Sequence, residues 1–271
     1  MERDYMFLNI MEDFLEQKGK LNKPTQESMD RKVGKVLSFS THIKYMVHAQ
    51  LSNQEKWSKI KRNIQKIDDI FFQYDIDEIK KQQWEYFFQK IKPYLTRGVS
   101  LEGQMRKLHS NIEIMEKINT THKEGGIDSY VVSKPPIEII KNFVKKHKLN
   151  YMGISLICEY LKNVGVECTK PDTHIMRFLS KTRRGFLLKD EAYITKRGEK
   201  KETIWTDNYK INALEIIEKI GVNSGKTPST IDRIIWSYCA DGYGEICTKT
   251  PNCRYCIIEE GCNHNKPGVR F

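Results

Sequence analysis

No stretch of this chain approaches the roughly eighteen consecutive uncharged apolar residues that a membrane-crossing helix needs. The opening MERDYMF carries charges where a secretory signal requires an apolar run, so a soluble, non-secreted, cytoplasmic protein is expected. Without such a signal, disulfides are the least favoured use of the seven cysteines. Period-two alternation of apolar and polar residues is almost absent, and only short stretches such as 130–133 resemble a strand, which argues against a sheet-built core. No internal repeat is visible, which excludes a solenoid, and no basic amphipathic helix points to a membrane surface.

Charge and helical periodicity are present instead. The 271 residues, 39% hydrophobic, can bury one large core or two modest ones. Lys and Arg number 46 against 35 Asp and Glu, giving a net charge of +11 and a pI near 9.2. Such a balance favours a polyanionic partner, the bland alternative being a solvated basic exterior. The densest basic stretch, residues 181–201, holds eight basic residues, Arg183 and Arg184 among them, against three acidic ones.

Apolar residues at helical spacing place Met6, Phe7, Ile10, Met11, Phe14 and Leu15 on one face of a helix over residues 3–18. Residues 19–36 read as a polar connector. Helical patterns follow over 41–50, 54–66, 76–92 and 103–119; Ile43, Met46 and Val47 mark one core face, and Met105, Leu108, Ile112, Met115 and Ile118 another. Pro136 suits the first turn of a helix bearing Ile137, Ile140, Phe143 and Val144, and a helix over 154–162 should stop near Gly165. Residues 180–208 read as a basic loop or insertion before helices at 209–220 and 229–240. The fold class expected is all-α.

Near the end, Cys247, Cys253, Cys256 and Cys262 are spaced C-x5-C-x2-C-x5-C. Thiolates are soft ligands for iron–sulfur clusters and zinc. A structural zinc site usually joins two C-x2-C knuckles, whereas a single C-x2-C flanked by longer gaps favours a [4Fe–4S] cluster, with zinc as the alternative. Cys158, Cys168 and Cys239 are scattered and read as small buried hydrophobes.

Upstream lies the segment 165–179, which contains Pro171, Asp172, Thr173 and His174. Pro171 disfavours helix at Lys170, and Asp172 or Thr173 can cap a helix beginning at His174; capping alone would account for Asp172. Read together, PDTHIMRFL at 171–179, the cysteine tail and the early Leu51-Ser52-Asn53-Gln54 occur in the order expected of one family. From about residue 40 onward the chain resembles the helix-hairpin-helix DNA glycosylases of the endonuclease III type.

That resemblance implies a central helical barrel over residues 41–163. A second domain would be built from residues 1–40 and 164–271, with DNA across the groove between them. It implies that Asp172 assists attack on the anomeric carbon of a flipped nucleotide, because a carboxylate stabilises the oxocarbenium character that develops as an N-glycosidic bond breaks. Gln54 would fill the hole left by the flipped nucleotide, and His174 would be structural. The partner implied is double-stranded DNA containing a damaged, mismatched or modified base, bound by a monomer, with the [4Fe–4S] cluster structural and Lys249 and Arg254 reaching the DNA backbone. Arg183 and Arg184, in the basic stretch, are further candidate DNA contacts.

The chain departs from the family pattern in the hairpin, the lysine and the cysteine spacing, and its stretch between Asp172 and Cys247 is longer than the family needs, much of the surplus lying in 181–201. The phosphate-binding hairpin, normally Leu-Pro-Gly-Val-Gly, is best matched by Leu149-Asn150-Tyr151-Met152-Gly153, which makes Asn150, Met152 and Gly153 candidate DNA contacts. The lysine of bifunctional members falls on Ile154 or Ser155, neither of which forms an imine. A monofunctional enzyme using water follows, with Ser155 at the lysine's place and a displaced lysine as the bifunctional alternative. The first cysteine gap is one residue short, leaving Cys239 as a fallback ligand for Cys247. Rival readings are a catalytically silent DNA-binding protein of the same fold and a zinc-stabilised adaptor.

Overall fold

The computed structural model describes residues 5–53, 55, 57–95, 98–122, 124–187, 193–194, 200–201 and 205–265. The fold is all-α. Among the described residues the only ladder joins β1 (Tyr193–Ile194) to β2 (Lys200–Lys201), antiparallel, within the stretch expected to be a loop. No described helix is long and apolar enough to cross a membrane.

The chain divides into two compact units, Met1–Pro24 with Glu167–Phe271, and Thr25–Val166. Unit one contains α1 (Met6–Gln17), α13 (Thr173–Leu179), α14 (Asp207–Ser224) and α15 (Pro228–Cys239). Its core joins Phe7, Leu8, Met11 and Leu15 of α1 to Ile175, Phe178, Ile234 and Tyr238. The buried face of α1 is rotated from the expected one: Leu8 is fully buried, whereas Met6 is 57% and Ile10 42% exposed. The stripe at positions 7, 8, 11 and 15 has the i, i+3/i+4, i+7 spacing of one helical face, and Met6 and Ile10 fall beside it.

Unit two runs from α2 (Gln26–Lys32) through α3 (Phe39–Leu51), α4 (Trp57–Arg62), α5 (Ile64–Ile70), α6 (Ile76–Lys81), α7 (Trp84–Ile91), α8 (Gly98–Arg106), α9 (Leu108–Thr121), α10 (Gly126–Tyr130) and α11 (Pro136–Val144) to α12 (Ile154–Asn163). Both expected core faces of α3, α8 and α9 are buried. Two expectations are corrected here, and the strand-like stretch 130–133 agrees with the all-α reading. The 54–66, 76–92 and 103–119 patterns are each broken into two shorter helices. Residues 130–133 end helix α10 and turn, with no strand. Residues 25–40, expected with the amino terminus, belong to unit two. The reason for the last is polar: Thr25 Oγ1 caps α2 through Ser28 N and donates to Asn163 O, while Arg31 bonds Val164 O and Asp128. Gly165, at φ +82°, ends the α12 turn, and a Cβ there would press within 3.0–3.1 Å of Arg31 and Ser28.

Candidate active site and cysteine loop

Asp172 is the N-cap of α13. Pro171 keeps the preceding chain out of helix, Asp172 has φ −89° and ψ −176°, and its Oδ1 accepts from His174 N at 2.8 Å and Ile175 N at 3.2 Å. One carboxylate oxygen is therefore fixed by the helix terminus. Its Oδ2 takes no further hydrogen bond among the described residues, and the side chain is part-exposed. The approach to this cap is anchored from α15: Lys170 N donates to Asp232 Oδ1 at 2.7 Å and Thr169 Oγ1 to Pro228 O at 2.9 Å. Asp232 is 1% exposed and escaped the sequence reading. The signal available was an acid amid Ile231, Ile234 and Ile235, on a face that otherwise reads as core. His174 packs edge-on against Trp236, and burial holds its imidazole below the ordinary histidine range.

Beyond α13 the chain turns at residues 180–185 and meets the cysteine loop. Cys247, Cys253, Cys256 and Cys262 are all part-exposed, whereas Cys158, Cys168 and Cys239 are buried as expected. Cys247 faces Cys239. The hydrogen bond between them, helped by Arg183, Arg177 and Arg184, draws the Cys247 thiol down to about 7 against the opposing effect of burial. Burial pushes the Cys239 and Cys253 thiols up. Tyr238 OH donates to Cys256 Sγ at 3.5 Å and accepts from Ile257 N at 3.2 Å, tying the loop to α15.

Among the described residues no three His, Cys, Asp or Glu side chains converge as a metal-holding set. The donor type suits a thiolate-bound group, but the four side chains do not converge on one. Among the described residues the buried Arg184 Nε–H meets no acceptor, while its Nη1 donates to Ile258 O and Glu260 O of the cysteine loop. Arg254 is exposed and stacks its cation on Tyr255 at 5.6 Å, so it remains free to contact a partner. Arg183 is 6% exposed and Arg184 part-buried; both are turned toward the loop. Lys189, Lys196, Arg197 and the side chains of Lys200 and Lys201 lie outside the described residues.

In unit two, the 149–153 turn is gripped from below. Asn150 N donates to Asn111 Oδ1 at 2.7 Å, and Asn150 O accepts from Asn111 Nδ2 at 3.0 Å and Gln50 Nε2 at 3.1 Å. The Asn150 amide is likewise occupied, by Asn111 and Ser110, and Met152 is 5% exposed. What the turn offers outward is Tyr151, 53% exposed at φ +56°, and Gly153, beside which a Cβ would meet open space. Ser155 sits in the first turn of α12, which has no side-chain cap. At the end of α3, Leu51 is buried and Asn53 Nδ2 donates to Ser100 Oγ at 3.2 Å; Gln54 lies outside the described residues. Compared with known protein families, curated proteins and solved structures, the chain matches none.

Proposed function

We propose that this chain is a DNA N-glycosylase that hydrolyses the bond between deoxyribose and a base flipped out of the duplex, with Asp172 as its carboxylate and water as nucleophile. The observation that carries this reading is the Asp172 cap, in which one oxygen is locked by His174 N and Ile175 N on a segment anchored to Asp232. Two hydrogen bonds to one oxygen restrict the rotation of the carboxyl group and leave its second oxygen without a bond among the described residues. Charge held in place stabilises a developing oxocarbenium ion without reorganisation at the moment of reaction, and the same oxygen can orient an attacking water. The net charge of +11 suits a polyanionic partner, and the exposed Arg254 is available to its backbone. Ser155, where the related enzymes would place an amine, has none, so base release without strand cleavage is expected. Cys247, Cys253, Cys256 and Cys262 would hold a [4Fe–4S] cluster, which when bound would pin the loop.

Asp172→Asn separates catalysis from capping, because asparagine caps a helix as well as aspartate does. Duplexes carrying a panel of damaged, mismatched and modified bases are incubated with each protein, and strand breaks are counted before and after alkali. Wild type should release one class of base, with breaks appearing only after alkali. The variant should keep the wild-type melting temperature and release base about 100-fold more slowly or worse. Equal release by the two proteins on every substrate rejects the enzyme reading.

A further inference from the structure

We propose that Tyr151 donates its hydroxyl to a DNA phosphate, at the apex of a basic surface formed by Lys145, Lys146 and Lys148 of unit two. The inference rests on duplex DNA being the partner; it requires no base release. The turn 149–153 sends its side chains two ways. Leu149 and Met152 pack inward, at 1% and 5% exposure, whereas Tyr151 between them stands 53% exposed. Its backbone has φ +56°, in the left-handed region that favours glycine. A tyrosine that merely filled space would be buried, and a turn that merely reversed the chain would form with less strain around a glycine. The conformation is nonetheless firmly held. Asn111 bonds both the N–H and the carbonyl of Asn150, and the phenol end of the ring lies over Gly103, where a Cβ would come within 2.5 Å of Cζ and the hydroxyl oxygen. A strained backbone thus keeps a polar ring turned to solvent, and strain of this kind clusters where a ligand or partner is contacted.

The surroundings of the ring define the partner's charge. Between Glu138 and Glu159 the chain carries Lys141, Lys145, Lys146 and Lys148 and no acidic residue. All four lysines are exposed. The end of α11 is closed by His147 N donating to Asn142 O at 2.8 Å and Leu149 N to Phe143 O at 3.1 Å, so residues 145–148 lead directly into the turn. On the α8 side of the ring, Lys107, four positions after Gly103, is exposed as well, and the neighbouring acid Glu102 is paired with Arg106 at 2.8 Å. A positive surface ending in a fixed hydroxyl complements a row of phosphates. The lysines supply charge, and a tyrosine hydroxyl donating to a phosphate oxygen fixes register without reading sequence. Asn150 and Met152 cannot share this role, the first being occupied by Asn111 and Ser110 and the second buried.

The test measures binding of the full chain to an undamaged duplex across a salt series, with chemical denaturation of every variant. Tyr151→Phe should bind about tenfold more weakly, the scale of one hydrogen bond to a charged group. Its stability and salt slope should match wild type, because a neutral phenol displaces no counterion. Tyr151→Gly should bind as weakly as Tyr151→Phe, although glycine suits the turn better. Lys145→Gln, Lys146→Gln and Lys148→Gln combined in one protein should make the salt slope shallower by about one per lysine. Wild-type affinity in Tyr151→Phe, or an unchanged slope in the triple lysine variant, overturns the proposal. Base release by wild type together with variants that bind as wild type does rejects this surface alone. Binding that falls in the variants as expected, with no base released by wild type, rejects the enzyme reading and supports the surface. A wild-type protein that binds no duplex rejects both.

Discussion

Asp128 is 6% exposed, and four helices of unit two meet around it. It accepts from Arg31 of α2 and from His42 Nε2 of α3 at 3.0 Å, while His42 Nδ1 lies 2.7 Å from Tyr160 OH of α12. The consistent assignment is a neutral imidazole that donates from Nε2 to the carboxylate and accepts the tyrosine proton at Nδ1. Burial holds His42 below the ordinary 6.5, ahead of the opposing pull of Asp128, with Arg31 lowering it further. At Asp128 burial pushes the other way, yet the bonds from His42 and Arg31 outweigh it and keep the carboxyl below 3.8. Both groups are depressed in the folded state, so both give stability that is present at high pH and lost on acidification. The unfolded chain takes up the histidine proton below about pH 6.5, and the folded chain resists it. Melting temperature should therefore fall from pH 7.5 to pH 5.5, and His42→Gln, which keeps an amide between the same partners, should flatten that slope. An equal slope in the variant would show that other groups carry it. None of this was legible in the sequence: His42 and Asp128 are 86 positions apart, Arg31 and Asp128 97, and polar pairs leave no periodic trace. Asp172 was legible because a cap is local: proline, acid and hydroxyl within three positions describe a helix start.

Periodic apolar faces located α3, α9, α11, α12, α14 and α15, since repeated burial on one side imposes a spacing that survives without tertiary knowledge. Helix α2 escaped for the converse reason. Its seven residues carry no apolar stripe, and its place comes from Thr25 and Arg31 bonding Asn163 O and Val164 O. The 149–153 turn was legible only by its leading leucine and closing glycine. A tyrosine at φ +56° is a conformation that costs a non-glycine residue about 1 kcal/mol or more. It is held because Asn111 and Gln50 fix Asn150 and because the ring rests where Gly103 has no side chain, a Cβ there lying 2.5 Å from the ring. Gly103→Ala should accordingly displace the ring, a cost that offsets the roughly 1 kcal/mol alanine gains over glycine inside a helix. In a Tyr151→Gly background the same change should stabilise the helix by about 1 kcal/mol. Chemical denaturation of the two single variants and the double variant gives the coupling energy, and additive effects would remove the ring from its seat on α8.

The two compact units make different demands on the chain. Residues 25–166 form unit two from one continuous segment, whereas unit one draws on both ends. Its core takes Phe7, Leu8, Met11 and Leu15 from α1, all 0–5% exposed, and Lys226 of the α14–α15 connection pairs with Glu12. Four such side chains at roughly 1.5–3 kcal/mol each contribute about 6–12 kcal/mol. A typical domain is held by only ~5–15 kcal/mol, so unit one has little margin without them. Deleting residues 1–24 should leave α13 and α15 unprotected and, with them, the Asp172 cap and the loop tied to Tyr238. The helices of unit two should keep their protection, because their apolar faces and the Arg31–Asp128–His42 network lie wholly within residues 25–166. Hydrogen exchange read segment by segment separates the outcomes. Rapid exchange confined to 167–265 supports a core completed by the amino-terminal helix. Wild-type protection of α13 and α15 in the truncated protein would mean that α1 merely covers a core already complete, and the Asp172 segment would then owe its order to the Lys170–Asp232 and Thr169–Pro228 bonds.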